Sequence, residues 1–269
     1  MIQVIVQGAA GRMGSCIARL VLEAEDLKLA GATERPGHPA VGRDVGEVLG
    51  VGKAGVEVGD NLRDVVKAGE VVVNFTTPEA TVEAARICGE RGRAMVVGTT
   101  GLSQEQLEAF RDAVTPIPCV FSPNFSVGVN VLFRIAEEVA RILGPGYDVE
   151  IVEAHHRFKK DAPSGTAKRL AQAVAKGLGR DWEQAAVYGR EGMVGERRPE
   201  EIGVHAIRAG DIVGEHIVLF GGMGERVELV HRASSREAFA QGALRAVRFV
   251  VGAEPGLYDM GDVLGLRSL

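Results

Sequence analysis

The sequence predicts an α/β fold in which a doubly wound parallel sheet is joined to a second, α+β domain with an open mixed sheet. Between residues 2 and 120, short apolar runs alternate with amphipathic segments, which is typical of repeated βαβ units. Beyond residue 145 the candidate strands are longer, and several are separated only by turns. The 269 residues are 46% hydrophobic, so the chain can build a large core without disulfides or a structural metal.

Five buried strands are predicted in the first part of the chain, because each is a short apolar run bounded by turn residues. They cover residues 2–6, 27–33, 70–74, 94–97 and 117–121. Helical periodicity predicts helices over residues 12–24, 78–89 and 103–114. Thr77 and Ser103 are residue types that cap helix N-termini, so both mark predicted helix starts.

The pattern changes after residue 121, where Ser122-Pro123-Asn124 forms a predicted turn. A long helix is predicted over residues 127–143, and strands over 147–154, 202–208, 212–220 and 226–231. A capped start at Ser234 predicts a last helix over 238–251 that returns to the first domain. We therefore expect a dinucleotide-binding domain of residues 1–125 and 236–269, and a substrate-binding and oligomerisation domain of residues 126–235.

A glycine-rich loop follows the first strand and opens the first helix. Glycines at such a turn allow backbone N–H groups to approach a phosphate, and the helix N-terminus adds a favourable dipole. The spacing GxxGxxG is less diagnostic than GxGxxG, so a purely structural turn is the alternative. Its position after a strand favours a Rossmann-like dinucleotide site. The candidate cofactor contacts in the loop are Gly8, Ala9, Ala10, Gly11, Arg12 and Met13.

Glu34 stands at the end of the second predicted strand, where an acid accepts hydrogen bonds from an adenosine ribose. Arg35 follows it, and a guanidinium at this point can pair with a 2′-phosphate that Glu34 alone would repel. We therefore expect NADH and NADPH both to serve as cofactors.

Two further loops follow the fourth and fifth predicted strands and should lie at the same carboxyl edge of the sheet, where open α/β sheets bind ligands. Small residues and hydroxyl groups there suit a nicotinamide and its ribose, although ordinary turn chemistry is the alternative. The candidate cofactor contacts are Gly98, Thr99, Thr100, Ser122, Pro123, Asn124 and Phe125.

The segment from residue 150 to 167 holds the densest group of ionisable side chains. His155 and His156 can transfer protons near neutral pH, and the lysines at 159 and 160 supply positive charge for an anionic substrate. The run Ser164-Gly165-Thr166 precedes a helix predicted to residue 177, so it can hold a carboxylate or simply cap the helix. Adjacent histidines also occur as metal ligands, but no cysteine or third histidine stands nearby at ligand spacing.

Taken together, these segments resemble the dihydrodipicolinate reductase family over nearly the whole chain. The most specific part is E-[IV]-x-E-x-H-x-x-x-K-x-D-x-P-S-G-T-A, which residues 150–167 match without departure. The loop GAAGRMG, the pair at residues 34 and 35, the run at 98–100 and the run RAGDIVGEH at 208–216 are also similar to that family.

The resemblance implies hydride transfer from NADH or NADPH to an unsaturated cyclic dicarboxylate, by a homotetramer assembled through the second domain. It places His155 at the family's proton-donor position and Lys159 at the second catalytic position. The positions that it implies for substrate contact are His156, Ser164, Gly165 and Thr166. No resident metal is expected.

Charge and composition exclude other classes of protein. Thirty-one basic and 36 acidic residues give a net charge of −5, which disfavours nucleic acid as a partner. No apolar run approaches the roughly 18–20 residues of a membrane helix, and Cys16, Cys88 and Cys119 are isolated. We expect a cytoplasmic enzyme that does not bind membranes. A metal-dependent hydrolase using the two histidines, and a nucleotide-sensing regulator without turnover, are the alternative functions.

Overall fold

The computed structural model describes residues 1–268, so Leu269, the last residue of the first predicted domain, lies outside the described residues. The chain forms two units. The first unit comprises Met1–Val127 together with the segment from Arg236 onward, and the second comprises Gly128–Ser235.

The strands and helices are numbered in chain order. The strands are β1 (Ile2–Gln7), β2 (Leu27–Thr33), β3 (Val58–Gly59), β4 (Val71–Asn74), β5 (Ala94–Val97), β6 (Pro118–Phe121), β7 (Asp148–His155), β8 (Ala186–Tyr188), β9 (Ile202–Arg208), β10 (Gly214–Gly221), β11 (Arg226–Ala233) and β12 (Gly256–Tyr258). The α-helices are α1 (Arg12–Glu23), α2 (Val45–Leu49), α3 (Leu62–Val65), α4 (Pro78–Arg91), α5 (Gln104–Val114), α6 (Val127–Leu143), α7 (Gly165–Gly177), α8 (Trp182–Ala185), α9 (Glu237–Val250) and α10 (Met260–Val263). Short 3₁₀ turns span Val66–Ala68, Gly144–Gly146 and Leu266–Ser268.

In the described part of the first unit, seven strands form one parallel sheet in the order β12-β6-β5-β4-β1-β2-β3. Alternate side chains of its central strands enter two separate cores, because successive residues of a strand point to opposite faces. On one face Val4 and Val73 pack with residues of α1 and α9, and on the other Ile5 and Val72 pack with residues of α4 and α5. Helices therefore cover both faces of the sheet.

The strand order reverses direction next to β1, which lies between β2 and β4. In doubly wound sheets, ligands bind outside the carboxyl ends of the strands at such a switch point. The loop that connects β1 to α1 begins there, at Gly8. The topology thus puts the glycine-rich loop at the edge where a ligand is expected.

The second unit contains a mixed sheet, whose described strands follow the order β11-β10-β7-β9-β8. Strand β10 pairs antiparallel with β11 and β7, whereas β9 pairs parallel with β7 and β8. Helices α6 and α7 cover one face, where Leu170 and Val174 belong to the same core as Ile151 and Val218. The neighbouring positions Val152, Ile217 and Leu219, on the opposite face of the strands, are only partly buried.

The predicted fold class is confirmed, and most element boundaries agree within one or two residues. The predictions for residues 27–33, 94–97, 127–143 and 202–208 match β2, β5, α6 and β9 at both ends. The two predicted caps are also confirmed, since the Thr77 and Ser103 hydroxyls accept hydrogen bonds from Ala80 N and Gln106 N.

Two predictions need correction, and one stretch of the chain had no predicted element. The cap expected at Ser234 is wrong, because α9 begins at Glu237 with Arg236 at the N-cap position and no side-chain cap. The strand predicted from residue 212 begins only at Gly214. Residues 34–69 had no predicted element, yet they form α2, β3, α3 and a 3₁₀ turn, which are too short to show a period in the sequence.

Within residues 1–268, no helix is both long enough and apolar enough to span a membrane.

Candidate active site

The glycine-rich loop is tightly folded against the start of α1. Gly8 has φ +75°, a conformation that residues with a side chain rarely adopt. A Cβ on Gly14 would lie 2.0 Å from the Gly8 carbonyl oxygen, so no larger residue fits there without movement of the backbone. The N-cap residue Gly11 offers no side chain to the first amides of α1, and the first turn carries no acid. These unfilled N–H donors fit a phosphate.

Glu34 lies beside this loop, directly after β2. Its Oε1 accepts a hydrogen bond from Ala10 N at 2.9 Å, and its Oε2 accepts one from Arg35 N at 3.2 Å. The carboxylate is therefore fixed next to the loop, where a ribose is expected, and the exposed Arg35 follows it. Both residues fit the adenosine end of a dinucleotide.

The side chain of Asn74, at the end of β4, ties two loops of this edge together. It is fully buried, and its Oδ1 accepts hydrogen bonds from the hydroxyl groups of Thr81 at 2.8 Å and Thr99 at 2.9 Å. The Thr99 hydroxyl also accepts a hydrogen bond from Thr76 N at 3.0 Å. Thr99 thus points into the protein, and its neighbour Thr100 is exposed at the edge.

Close packing holds the remaining predicted cofactor segments. A Cβ on Gly98 would lie 2.0 Å from the Phe75 ring, whose centroid is 5.2 Å from that of the buried Phe125. After β6, the Ser122 hydroxyl donates to the Asn124 carbonyl oxygen at 3.0 Å. The predicted segments after β1, β2, β5 and β6 therefore all lie at the carboxyl edge of one sheet, and they fit NADH or NADPH.

In the second unit, β7 places Glu153 and His155 on the face of the sheet that the helices cover, two residues apart and in line with Val149 and Ile151. Glu153 pairs in register with His216 on β10 and with Ala206 on β9. His155 pairs with Arg208 on β9. Three adjacent strands thus bring these ionisable groups into one cluster.

The Glu153 carboxylate accepts four hydrogen bonds in this cluster. Arg208 binds it through both terminal nitrogens, Nη1 to Oε2 at 2.7 Å and Nη2 to Oε1 at 2.8 Å. Ser164 N donates to Oε1 at 2.9 Å, and His155 Nδ1 lies 2.6 Å from Oε2. Burial acts to raise the pKa of Glu153, but these donors outweigh it and hold the pKa below its ordinary value. The carboxylate is therefore ionised at neutral pH.

The ring of His155 is mostly enclosed, and burial lowers its pKa below the ordinary value, while Glu153 opposes that shift. His216 packs edge-on against it, with ring centroids 5.3 Å apart. Burial lowers the pKa of His216 to about 3, so His216 is neutral, and its Nε2 lies 3.3 Å from the Ser164 hydroxyl.

Lys159 lies in the loop after β7, where its Nζ donates to Asp161 Oδ1 at 2.9 Å. Arg208 Nη2 donates to the backbone carbonyl of Asp161 at 2.7 Å, so the same guanidinium supports this loop and Glu153. The hydrogen bond from Lys159 is the main cause that lowers the pKa of Asp161. Lys159 is thus held close to the cluster by an exposed carboxylate.

The predicted carboxylate-binding turn caps α7. The Ser164 hydroxyl accepts from Ala167 N at 3.1 Å, and Ser164 itself is buried. The Ser164 amide also donates to Glu153 in this structure, and a direct contact between Ser164 and a substrate stays a prediction. Gly165 and Thr166 are the more accessible members of the turn, at the N-terminus of a helix whose dipole favours an anion.

His156 is half-buried, and its ring centroid lies 6.2 Å from that of Phe158. Its Nδ1 is enclosed without a hydrogen-bond partner among the described residues. The substrate contact of His156 stays a prediction, since this enclosed nitrogen reaches a ligand only if the surrounding side chains move.

The structure thus groups the predicted cofactor residues in the first unit and the predicted catalytic and substrate residues in the second. No role was predicted for Glu153, Arg208 or His216. Glu153 and His216 stand within strands at alternating positions that otherwise carry core residues, and a polar residue at such a position was the available signal. In the described part of the chain, no group of three or more His, Cys, Asp or Glu side chains is arranged to hold a metal ion.

Two family models match the chain. Residues 2–125 match the family model for the N-terminus of dihydrodipicolinate reductase, and residues 128–264 match the model for its C-terminus. The 4-hydroxy-tetrahydrodipicolinate reductase of Syntrophus aciditrophicus is 50% identical over 268 residues, with 100% of both chains covered. That of Anaeromyxobacter sp. is 54% identical over 268 residues, covering 100% of this chain and 99% of the relative.

A solved structure shares the same architecture. The dipicolinate-bound dihydrodipicolinate reductase from Paenisporosarcina sp. TG-14 superimposes with a TM-score of 0.76 at 26% identity, and the match covers 96% of this chain and 97% of that one. An amine dehydrogenase from Mycobacterium smegmatis, at 17% identity and a TM-score of 0.60, shares the fold over 95% of this chain.

Proposed function

The chain belongs to the dihydrodipicolinate reductase family, and we propose that His155 donates the proton in the reaction of this family, the reduction of 4-hydroxy-tetrahydrodipicolinate to tetrahydrodipicolinate. The chain is an NAD(P)H-dependent oxidoreductase of the diaminopimelate route to lysine. The observation that carries the proposal is the enclosed His155 ring, which is held by an ionised carboxylate within a cluster that also contains Lys159.

The reaction needs groups from both the cofactor and the protein. Reduction of a double bond conjugated to an imine takes a hydride at one carbon and a proton at its neighbour. NADH or NADPH, when bound, supplies the hydride. The protein must then supply the proton, hold the two substrate carboxylates and stabilise the charge that develops between these events.

His155 suits the proton transfer. Its Nδ1 is occupied by Glu153, so Nε2 is the ring nitrogen that can carry a proton to the substrate. The same ring recovers its proton from water after each turnover. A histidine is the usual residue for this task because its protonated and neutral forms are both accessible near neutral pH.

Lys159 and the turn at the start of α7 suit the substrate carboxylates. Lys159 exchanges Asp161 for a substrate carboxylate, and its charge offsets the negative charge that develops during reduction. The amides of Gly165 and Thr166 bind a second anionic group at the helix N-terminus. Ser164 fixes the turn through its cap, and the half-buried ring of His156 contacts the substrate.

The residues proposed to hold the cofactor belong to the first unit, and we assign that unit, residues 1–125 and 236–269, to dinucleotide binding. Backbone amides of the glycine-rich loop bind the phosphates, and Glu34 and Arg35 bind the adenosine ribose or its phosphate. The contacts proposed toward the nicotinamide end come from Gly98, Thr99, Thr100, Ser122, Pro123, Asn124 and Phe125. Because Thr99 and Phe125 point inward, their backbone groups make these contacts.

We assign residues 126–235 to substrate binding and assembly into a cytoplasmic homotetramer. The mixed sheet carries apolar side chains on the face that α6 and α7 do not cover, and Ile207 and Val230 are 48% and 43% exposed there. Such a face favours contact with a second copy of the chain. The described cysteines are all free thiols, which agrees with a reducing compartment.

The test is oxidation of NADH and of NADPH, measured in parallel, with substrate generated in place from pyruvate and aspartate semialdehyde by the preceding synthase. We expect oxidation that depends on the synthase. His155→Ala should lower kcat by about tenfold to a thousandfold, in the range of lost acid catalysis, and leave cofactor binding unchanged. Wild-type turnover in this variant would refute the proposed proton donor.

A further inference from the structure

Glu153 is a fully buried carboxylate at a position of β7 where the strand otherwise carries core residues. A buried charge is costly unless donors surround it, and here four donors from three other residues do so. A well-packed apolar side chain in the same place would support the fold as well or better, since buried ion pairs contribute little net stability. The cluster therefore points to a role for this carboxylate in the site.

We infer that Glu153 is a positioning residue for the reaction, because its single carboxylate fixes both the ring of His155 and the turn at Ser164 that begins α7. Oε2 holds His155 Nδ1 at 2.6 Å, and Oε1 holds Ser164 N at 2.9 Å. The proton donor and the anion-binding turn are thus tied to the same rigid group. This inference rests on the proposed function, in which His155 is the donor.

Glu153 also sets the tautomer of His155. An ionised carboxylate accepts hydrogen bonds but cannot donate them, so the contact at 2.6 Å requires a proton on Nδ1. In the neutral ring, Nε2 then carries the lone pair, and a proton gained from water is placed on Nε2. Glu153 thereby selects the nitrogen that delivers the proton.

Glu153 also stabilises the positive charge of the protonated His155 ring. Lys159 from the following loop and Arg208 from β9 both disfavour a positive charge on His155. His216 faces the ring from β10, His231 on β11 lies behind His216, and Asp161 faces Lys159 and Arg208. Glu153 is the charged group that favours protonation of His155, and its removal should lower the pKa of that ring further.

Arg208 completes the arrangement. Its bidentate contact is the main cause that lowers the pKa of Glu153 against the effect of burial. Since it also donates to the backbone of Asp161, it links the carboxylate to the loop that carries Lys159. Arg208 is therefore a second positioning residue that acts through Glu153.

The tautomer can be measured on the wild-type enzyme by two-bond ¹H–¹⁵N correlation NMR of labelled protein, with His155→Asn used to assign the ring. We expect neutral His155 to be protonated on Nδ1. A neutral ring protonated on Nε2 would overturn the inference. This measurement needs no Glu153 variant, so it remains decisive even if such variants fail to fold.

The charge effect is tested with Glu153→Gln, which keeps the shape of the side chain and removes its charge. The pH above which kcat declines should fall by about one unit or more, the usual effect of losing an opposite charge in contact. The ratio of variant kcat to wild-type kcat should therefore be about tenfold lower above the pH limit of the wild type than it is at low pH. A pH profile identical to that of the wild type would contradict the inference.

Glu150→Gln is the matched control. Glu150 stands three residues earlier on β7, faces the other side of the sheet, and contacts two arginines and His205 without touching His155. Its removal should leave the pH limit of kcat unchanged, although it lowers stability. An equal shift in both variants would show that loss of an ion pair on β7, and not contact with His155, changes the pH profile, and would overturn the inference.

The outcomes also separate this inference from the proposed function. Full activity of His155→Ala would refute the proton donor even if Glu153 fixes the ring as described. Loss of activity in His155→Ala, together with the wrong tautomer in the wild type, would retain the proton donor and refute the role of Glu153.

Discussion

Gly214 lies against the ring of His155, and a Cβ on Gly214 would be 3.2 Å from His155 Nε2 and 3.5 Å from Cδ2. Gly214 is buried at the first position of β10, and its backbone does not adopt a positive φ. Conformational freedom therefore does not explain the glycine, whereas space for the proposed proton-donating nitrogen does. The absence of a side chain at residue 214 sets where Nε2 can lie.

Gly214→Ala should lower kcat by about tenfold to a hundredfold, because the ring of His155 must move by a few tenths of an ångström and proton transfer is sensitive to such shifts. Thermal stability should change little. Gly221→Ala, at the other end of β10, is the control, since its Cβ would meet only Leu219 Cδ2 at an ordinary 3.6 Å. Equal kcat values for the two variants would contradict this account.

Lys159→Ala should lower kcat by at least about tenfold and also raise KM, because Lys159 is proposed both to bind a substrate carboxylate and to offset developing charge. The measurement is steady-state kinetics with the coupled synthase. Lys176→Ala removes the same charge from α7, where Lys176 pairs with Glu137, and should leave both constants near their wild-type values. A rise in KM alone would limit Lys159 to substrate binding.

The first unit was the more predictable part of the fold. Its strands β4 and β5 are continuous buried runs, so their apolar sequence and their structure correspond directly. The elements α2, β3 and β12 were missed because each is five residues or shorter and is held by contacts distant in sequence. The cap at Ser234 failed because residue type alone does not show which residue begins a helix.

Candidate site residues could be named from the sequence, but the contacts between them could not. His155, Lys159 and Ser164 lie close in sequence and could be named from the motif. Arg208, 55 residues away in sequence, donates to Glu153 because β9 pairs with β7. His216, 63 residues away, lies opposite Glu153 because β10 pairs with β7. Strand order in a mixed sheet depends on long-range packing, so the sequence pattern could not reveal these neighbours.

Asn74→Leu should lower the free energy of unfolding by about 2–4 kcal/mol, because it removes the buried acceptor of the Thr76, Thr81 and Thr99 hydroxyl groups. Cofactor binding should weaken as well, since the loops after β4 and β5 lose their shared anchor. Urea unfolding and fluorescence titration with NADH measure the two effects. Asn61→Ala, which removes only the exposed cap of α3, should cost about 1 kcal/mol and leave binding intact.

His216 should make the enzyme less stable in acid. Burial lowers its pKa to about 3 in the folded chain, against about 6.5 in the unfolded chain. The unfolded state therefore binds a proton that the folded state does not, and stability falls as pH drops from about 6.5 toward 3, by up to about 1.4 kcal/mol per pH unit. Urea unfolding at several pH values should show a shallower acid decline for His216→Gln than for the wild type. Parallel declines would show that His216 does not contribute.

Arg35 should control the use of NADPH without affecting NADH. The exposed guanidinium of Arg35 follows Glu34, whose carboxylate is fixed at the glycine-rich loop and would by itself repel a 2′-phosphate. The wild type should have comparable KM values for the two cofactors. Arg35→Ala should raise KM for NADPH by about tenfold, the effect of one charge-assisted contact, and leave KM for NADH unchanged.

Arg43→Ala, at an exposed arginine eight residues further along the chain, controls for the loss of a positive charge. A thousandfold preference of the wild type for either cofactor would show that one of the two side chains alone governs the ribose site.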